Sequence, residues 1–281
     1  MSSFSPRARS RRGLAGLVTS LAVLCCFGSA APAIVPGGGV TAGAFQPAGP
    51  SAALSLGNGT VDSLNWAGYA VTPGSGVTAV RATFVVPSAG LLPPGFSATW
   101  TGIGGYNTTD LIQAGVGEQS LPSAPVLGPQ YFAWYEILPA AETPLSGCSG
   151  DANCTVKPGD SISVEVHNVR GNTWNIQMAD AGHWTYSHDL TYASSESSAE
   201  WIQEAPTLIA VQTIPAPVGT VHFRPTSTYT ARGASHPIGA GSPTRINESL
   251  IGLVNEATTS PLGSDGQSFN VCVYAQTCAA P

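Results

Sequence analysis

"KPGDSISVEVHNV", residues 157–169, decides the fold. Lys157-Pro158-Gly159-Asp160 is a turn signal, because proline presets φ and glycine tolerates the tight reversal. Beyond it Ile162, Val164 and Val166 alternate with Ser163, Glu165 and His167. A period of two sends the apolar set to one face and the polar set to the other, which marks a half-buried antiparallel strand. Working outward, alternation or short apolar runs recur between Gly, Pro, Asn and Ser. They fall at 65–72, 77–87, 96–105, 110–119 and 129–138 before this strand. After it they fall at 173–181, 183–192, 199–205, 219–230, 249–255 and 268–275. No stretch carries the periodicity of a long amphipathic helix. Many short strands joined by turn chemistry predict an all-β antiparallel sandwich.

The N-terminus reads differently. Arg7, Arg9, Arg11 and Arg12 precede an apolar run and then small residues around Ser29–Ala33. This is the order of a secretory signal peptide over 1–33, with the export route, general or twin-arginine, left open. The apolar run is short for a membrane span, which needs about 20 residues. Residues 34–57 are rich in Pro, Gly, Ala and Ser and are expected to be a flexible leader or a short propeptide. Residues 58–281 are then one domain, long enough for a single large β core, and a monomeric, extracellular protein is expected.

Charge narrows the function. The chain holds 16 acidic residues against 10 basic ones, and Lys157 is its one lysine. With the four leader arginines gone, no basic patch remains for nucleic acid or an anionic membrane. In acid the carboxylates neutralise and few strong bases are left to repel one another, so the composition suits an acidic medium. Cys25 and Cys26 fall in the leader; Cys148, Cys154, Cys272 and Cys278 remain. An even number in an exported chain implies two disulfides; three pairings are possible, and the local one, Cys148–Cys154 with Cys272–Cys278, is the expectation. No cofactor or metal is expected: there is no CxxC and no HExxH, and His183 and His188 would face opposite ways on one strand. A GxSxG elbow and a pepsin-type DTG or DSG are also missing.

What remains is polar residues set into strands. Gln113 interrupts "DLIQAGVGEQ" (110–119), and Glu200 and Glu204 stand four apart in "SAEWIQEAP" (198–206). At that spacing both glutamates share a face with Ile202 between them, while Trp201 and Gln203 point the other way.

"NWAGYAV", "VRATFVVP", "WTGIGG…LIQAG", "AWYEILPA", "PGDSISVEV" and "AEWIQEAP" occur in this order. Together they resemble the glutamic peptidases, or eqolisins, over residues 62–230, as a bacterial-type member. The resemblance implies two seven-stranded antiparallel sheets in a concanavalin-like or jelly-roll-like sandwich. It implies a pepstatin-insensitive acid endopeptidase acting on protein and peptide substrates through a glutamine–glutamate dyad, Gln113 and Glu204. Glu200 matches a supporting position. Trp100 matches an active-site tryptophan, and Glu136 with Trp134 and Tyr135 matches the "WYE" segment. This chain departs from the fungal pattern at Gly117, Phe132 and Leu138, where acids and a tyrosine stand in fungal members. Glu118, beside Gly117, is a candidate supporting acid.

In such a dyad an ionised Glu204 takes a proton from water and returns it to the leaving amine. The Gln113 amide donates to the developing oxyanion. Two other readings compete. Tryptophans 66, 100, 134, 174, 184 and 201, if exposed, would suit a non-catalytic carbohydrate-binding sandwich. Glu200 and Glu204 would be the carboxylates of a glycoside hydrolase, but side by side on one strand they do not flank a scissile bond.

Overall fold

The computed structural model describes residues 60–281, apart from Ser75, 124–125, 209–210 and 251–253, together with two short strands, Phe45–Gln46 and Leu54–Ser55. The expected signal peptide and most of the expected leader lie outside the described residues. Of the two leader strands, Phe45–Gln46 pairs antiparallel with Thr207–Leu208, and Leu54–Ser55 pairs with Val61 and Asp62.

The main strands, in chain order, are β1 (Thr60–Ser63), β2 (Trp66–Val71), β3 (Val77–Val85), β4 (Gly95–Gly104), β5 (Leu111–Ser120) and β6 (Gln130–Ile137). β7 (Ser161–Arg170), β8 (Thr173–Asp180), β9 (Trp184–Thr191) and β10 (Ala199–Glu204) follow. The last group is β11 (Thr220–Phe223), β12 (Thr228–Ala231), β13 (Ala234–Pro237), β14 (Thr244–Leu250), β15 (Val254–Thr259) and β16 (Phe269–Val273). A single 3₁₀ turn, Ile238–Gly241, is the helical element among the described residues.

Pairing builds two sheets. The first runs β6–β5–β4–β10–β2–β14–β1, antiparallel except for β14 with β1. The second runs β9–β8–β7–β3, continues from the far edge of β3 to β11 and β12, and reaches β16 and β15 beyond β11. The β14–β15 hairpin passes from one sheet to the other. The result is the antiparallel β-sandwich expected from the strand pattern.

The core lies between the sheets. Ile162, Val164 and Val166 of β7 pack there with Val80, Ala82 and Phe84 of β3 and with Ile112, Ala114 and Val116 of β5. Removing each large side chain from water contributes about 1.5–3 kcal/mol. A second apolar cluster covers the opposite face of the first sheet: Trp66, Trp100, Trp134, Ile202 and Ile246. With both faces covered, every position of β5 is buried. This explains why Leu111–Gly117, apart from Gln113, is a run of apolar and small residues instead of an alternation.

Three sequence expectations need correction. The segment 219–230 is two strands, because Arg224-Pro225 interrupts it and proline cannot supply a ladder donor. The expected strand 249–255 is not one strand: β14 ends at Leu250, the antiparallel β15 begins at Val254, and residues 251–253 lie outside the described residues. The six tryptophans are not a sugar-stacking surface: each is between 0% and 2% exposed, which removes the carbohydrate-binding argument. Both disulfides pair as expected, with Cα separations of 5.4 Å for Cys148–Cys154 and 5.6 Å for Cys272–Cys278, inside the usual range.

Candidate active site

Strand register sets the site. On the outer face of the first sheet Glu204 stands opposite Ala98, Ile202 opposite Trp100, and Glu200 opposite Gly102. One strand further, Gln113 stands opposite Gly102, Gly115 opposite Trp100 and Gly117 opposite Ala98. Beyond that, Glu136, Trp134 and Phe132 stand opposite Gln113, Gly115 and Gly117. Period two therefore puts Gln113, Glu136, Glu200, Glu204, Trp100 and Trp134 on one face. Gly102 is what lets the rows close up: a Cβ there would come within 2.9 Å of the Gln113 Cβ and of the Ile112 carbonyl oxygen. Gly117 leaves room of another kind, because a Cβ there would lie 2.4 Å from the Phe132 ring.

Glu204 is fully buried and is held at both oxygens. Trp100 Nε1 donates to Oε2 at 2.8 Å, and Asn65 Nδ2 donates to Oε1 at 3.1 Å. Asn65 is itself fixed by the Ser63 hydroxyl, which donates to its Oδ1 at 3.2 Å and accepts from its backbone N–H at 3.3 Å. Gln113, also fully buried, donates from Nε2 to Glu136 Oε2 at 2.7 Å. An amide nitrogen carries two hydrogens, so a second remains for another acceptor.

Burial pushes the Glu136 carboxyl up to about 9. The Gln113 hydrogen bond opposes that rise, and the charges of Glu204 and Glu142 add to it. Glu136 is thus a neutral acid at acidic and neutral pH, lying within electrostatic reach of Glu204 while touching Gln113. Burial likewise raises Glu142, to about 8, and Glu200. The Ser198 hydroxyl and the Tyr106 backbone oppose the rise at Glu200, though its oxygens lack a partner in hydrogen-bond geometry.

The site is assigned on this chemistry and not on cavity size. A groove of about 790 Å³ lies on the outer face of the second sheet between residues such as Arg81, Ser163, Glu165 and Gln177. Its charged side chains Arg81 and Glu165 are paired with each other. A group of metal-type ligands, Asp160, Asp180 and His183, also lies on that sheet. There His183 Nδ1 and Asp180 Oδ2 already engage at 2.7 Å, and Asp160 accepts the Lys157 backbone N–H at 2.6 Å.

Comparison with known proteins identifies the family. The sequence pattern of the Peptidase A4 family matches residues 64–265. The chain belongs to that family. It is a glutamic peptidase, a hydrolase that acts on peptide substrates. Its fold is similar to that of scytalido-glutamic peptidase bound to a transition-state analogue inhibitor. That match has a TM-score of 0.58 and 20% identity and covers 74% of this chain and 98% of the other. SCP-B, an eqolisin solved with the tripeptide Ala-Ile-His, gives a TM-score of 0.55 at 18% identity, covering 74% and 98%. The aspergilloglutamic peptidase from Aspergillus niger gives 0.52 at 22% identity, covering 64% and 99%. No curated protein sequence matches the chain.

The peptidase brings some of the expected residues together and separates others. Gln113, Glu204, Trp100, Glu136 and Glu200 share one face. Glu118 and Tyr135 do not join them. Glu118 follows Gly117 by one residue and so points between the sheets, where Thr99 Oγ1 lies 3.1 Å from its Oε1. Tyr135 also faces away from Glu136 and stacks on Tyr186 and His188, with ring centroids 6.4 Å and 5.5 Å away.

The peptidase also contains groups that sequence reasoning missed. Asn65 sits in the quoted "NWAGYAV", but nothing in that string says that it reaches a glutamate 139 residues on. Glu248 of β14 is fully buried, with neither carboxyl oxygen hydrogen-bonded, and Glu256 is nearly so. Burial raises Glu248 well above the ordinary value, and the charges of Glu256 and Glu204 add to the rise. Both lie past residue 230, where the sequence resemblance fades.

Proposed function

We propose that this peptidase is a secreted acid endopeptidase, insensitive to pepstatin, in which Gln113 and Glu204 are the catalytic pair. The observation that carries the reading is the Glu204 carboxylate, gripped by Trp100 and Asn65 on the face that Gln113 shares. Glu204 takes one proton from a water as the water oxygen adds to the scissile carbonyl carbon. The carbonyl π electrons move to oxygen, and the oxyanion accepts the Gln113 N–H that Glu136 leaves free. Glu204 then returns its proton to the amide nitrogen as the C–N bond breaks, so no acyl-enzyme forms and no net proton is lost. A neutral Glu136 holds Gln113 without placing a negative charge beside the oxyanion. The two disulfides agree with an oxidising compartment. Among the described residues no helix is long and apolar enough to cross a membrane.

The test is cleavage of casein or denatured haemoglobin by residues 34–281 from acidic to neutral pH, with pepstatin present. Glu204→Gln is expected to lower kcat by about 10²–10⁴-fold, and Gln113→Ala by about 10²–10³-fold. Proteolysis unaffected by both substitutions would refute the pair.

A further inference from the structure

Glu118 has no place on the catalytic face, yet it is fully buried one strand away from the residues that hold Glu204. Thr99 Oγ1 lies 3.1 Å from Glu118 Oε1 and 2.7 Å from Gln203 Oε1. All three side chains are 0% exposed. A hydroxyl has a single proton to donate, and both neighbours of this one are oxygens. With the Gln203 amide in this orientation, an ionised Glu118 would leave one of the two contacts as oxygen against oxygen with no hydrogen between them. With a proton on Glu118 both are hydrogen bonds: Glu118 donates to Thr99, and Thr99 donates to Gln203.

We propose that Glu118 is a positioning residue, whose proton sets the direction of a Glu118–Thr99–Gln203 chain that braces Trp100 and Glu204 from behind. The inference rests on the catalytic role proposed for Glu204. Thr99 and Gln203 are directly opposed in the β4–β10 ladder, and each is followed in sequence by one member of the Trp100–Glu204 contact. The same two strands are therefore tied on both faces at the same step.

Burial pushes Glu118 up to about 8, so the proton stays in place in acidic and neutral solution. The titratable group facing it is Tyr131, opposite on β6, which feels its charge and whose hydroxyl accepts the Ala89 backbone N–H at 2.8 Å. When Glu118 ionises, the Thr99 hydroxyl must turn toward the carboxylate. Gln203 must then rotate its amide to offer Nε2, which otherwise has no partner. The chain reverses, and the brace behind Glu204 changes with it.

Carboxyl ¹³C and side-chain amide NMR, assigned with Glu118→Gln, test the chain directly. Glu118 is expected to titrate near 8, and the Gln203 amide signals to move over the same interval. In kinetics, kcat/KM of the unmodified peptidase, corrected for the folded fraction followed by circular dichroism at each pH, should fall through that interval. Glu118→Gln, whose amide donates at every pH, should lose that step. Thr99→Val should lower kcat with little change in KM, and Thr99→Ser should restore it. Titration of Glu118 in the ordinary carboxylate range, or superimposable pH profiles with and without Glu118→Gln, would overturn the proposal. If Glu118→Gln does not fold, an undiminished kcat in Thr99→Val overturns it instead. Should Glu204→Gln remain active, the catalytic reading fails, while the linked Glu118 and Gln203 titrations still report on the chain.

Discussion

Raising the pH should unfold this protein by a route that its buried acids dictate. Eight of its 16 acidic groups are buried: Glu118, Glu136, Glu142, Asp180, Glu200, Glu204, Glu248 and Glu256. Burial raises Glu118 and Glu142 to about 8 and Glu136 to about 9, and it also raises Glu200, Glu248 and Glu256. In the folded chain each of these carboxyls holds its proton to a higher pH than it does in the unfolded chain. In the unfolded chain each gives it up above the ordinary glutamate value of 4.5. The stability they allow is therefore fully present below about 4.5 and is lost as pH climbs toward the folded values.

Inside that window each group contributes a slope of about 1.4 kcal/mol per pH unit. Glu118, Glu136 and Glu142 together contribute about 4 kcal/mol per unit. Two pH units then remove about 8 kcal/mol, comparable to the whole stability of a typical domain at about 5–15 kcal/mol. Urea unfolding at intervals from pH 4 to 8 should show the midpoint falling steeply above pH 5. Glu118→Gln should shallow the fall by about 1.4 kcal/mol per unit. A midpoint that is flat or rises between pH 5 and 7.5 would refute the reasoning. On the acid side Asp110 sets the opposite trend. Burial pushes it up, but the Ser195 backbone and side chain and Thr108 outweigh that and lower it, so its contribution fades only as pH falls below the usual aspartate range.

Other expectations concern single positions. Trp100→Phe removes the 2.8 Å hydrogen bond to Glu204. A bond to a charged group contributes about 1.5–3 kcal/mol, so kcat/KM should fall about 10- to 100-fold while the circular dichroism spectrum stays unchanged. Gly102→Ala forces its new methyl against Gln113 and the Ile112 carbonyl. It should cost about 1–3 kcal/mol of stability in urea unfolding, and kcat should fall at a temperature where the variant is still folded. Gly117→Ala collides with the Phe132 ring. Adding Phe132→Ala should recover much of the loss, giving a coupling of at least about 0.5 kcal/mol in a double-mutant cycle.

Much was legible in the sequence because it follows from local periodicity. The alternation of Ile162, Val164 and Val166 names a half-buried strand, and "KPGD" names the turn before it, whatever else the chain does. The four-residue spacing of Glu200 and Glu204 places both on one face of a strand by geometry alone. Ordered motifs named Gln113 and Glu204 as the pair proposed for catalysis, and an even cysteine count with local spacing anticipated both disulfides. The composition raised the expectation of an acidic medium, read as surface charge; the structure places half of those acids in the interior.

What only the tertiary structure decided is which face meets which neighbour. Glu118 beside Gly117 reads as a substitute acid for the site, yet one step along a strand reverses the side chain, and its partners turn out to be Thr99 and Gln203. Tyr135 is turned away from the site by the same single step. Asn65 reaches Glu204 only because β10 and β2 are neighbours in the sheet, and Glu248 joins the buried acids only because β14 pairs on the far side of β2. Strand periodicity is written in adjacent residues. Strand adjacency is chosen by the packing of the whole sandwich, and the environment of each glutamate follows from that choice.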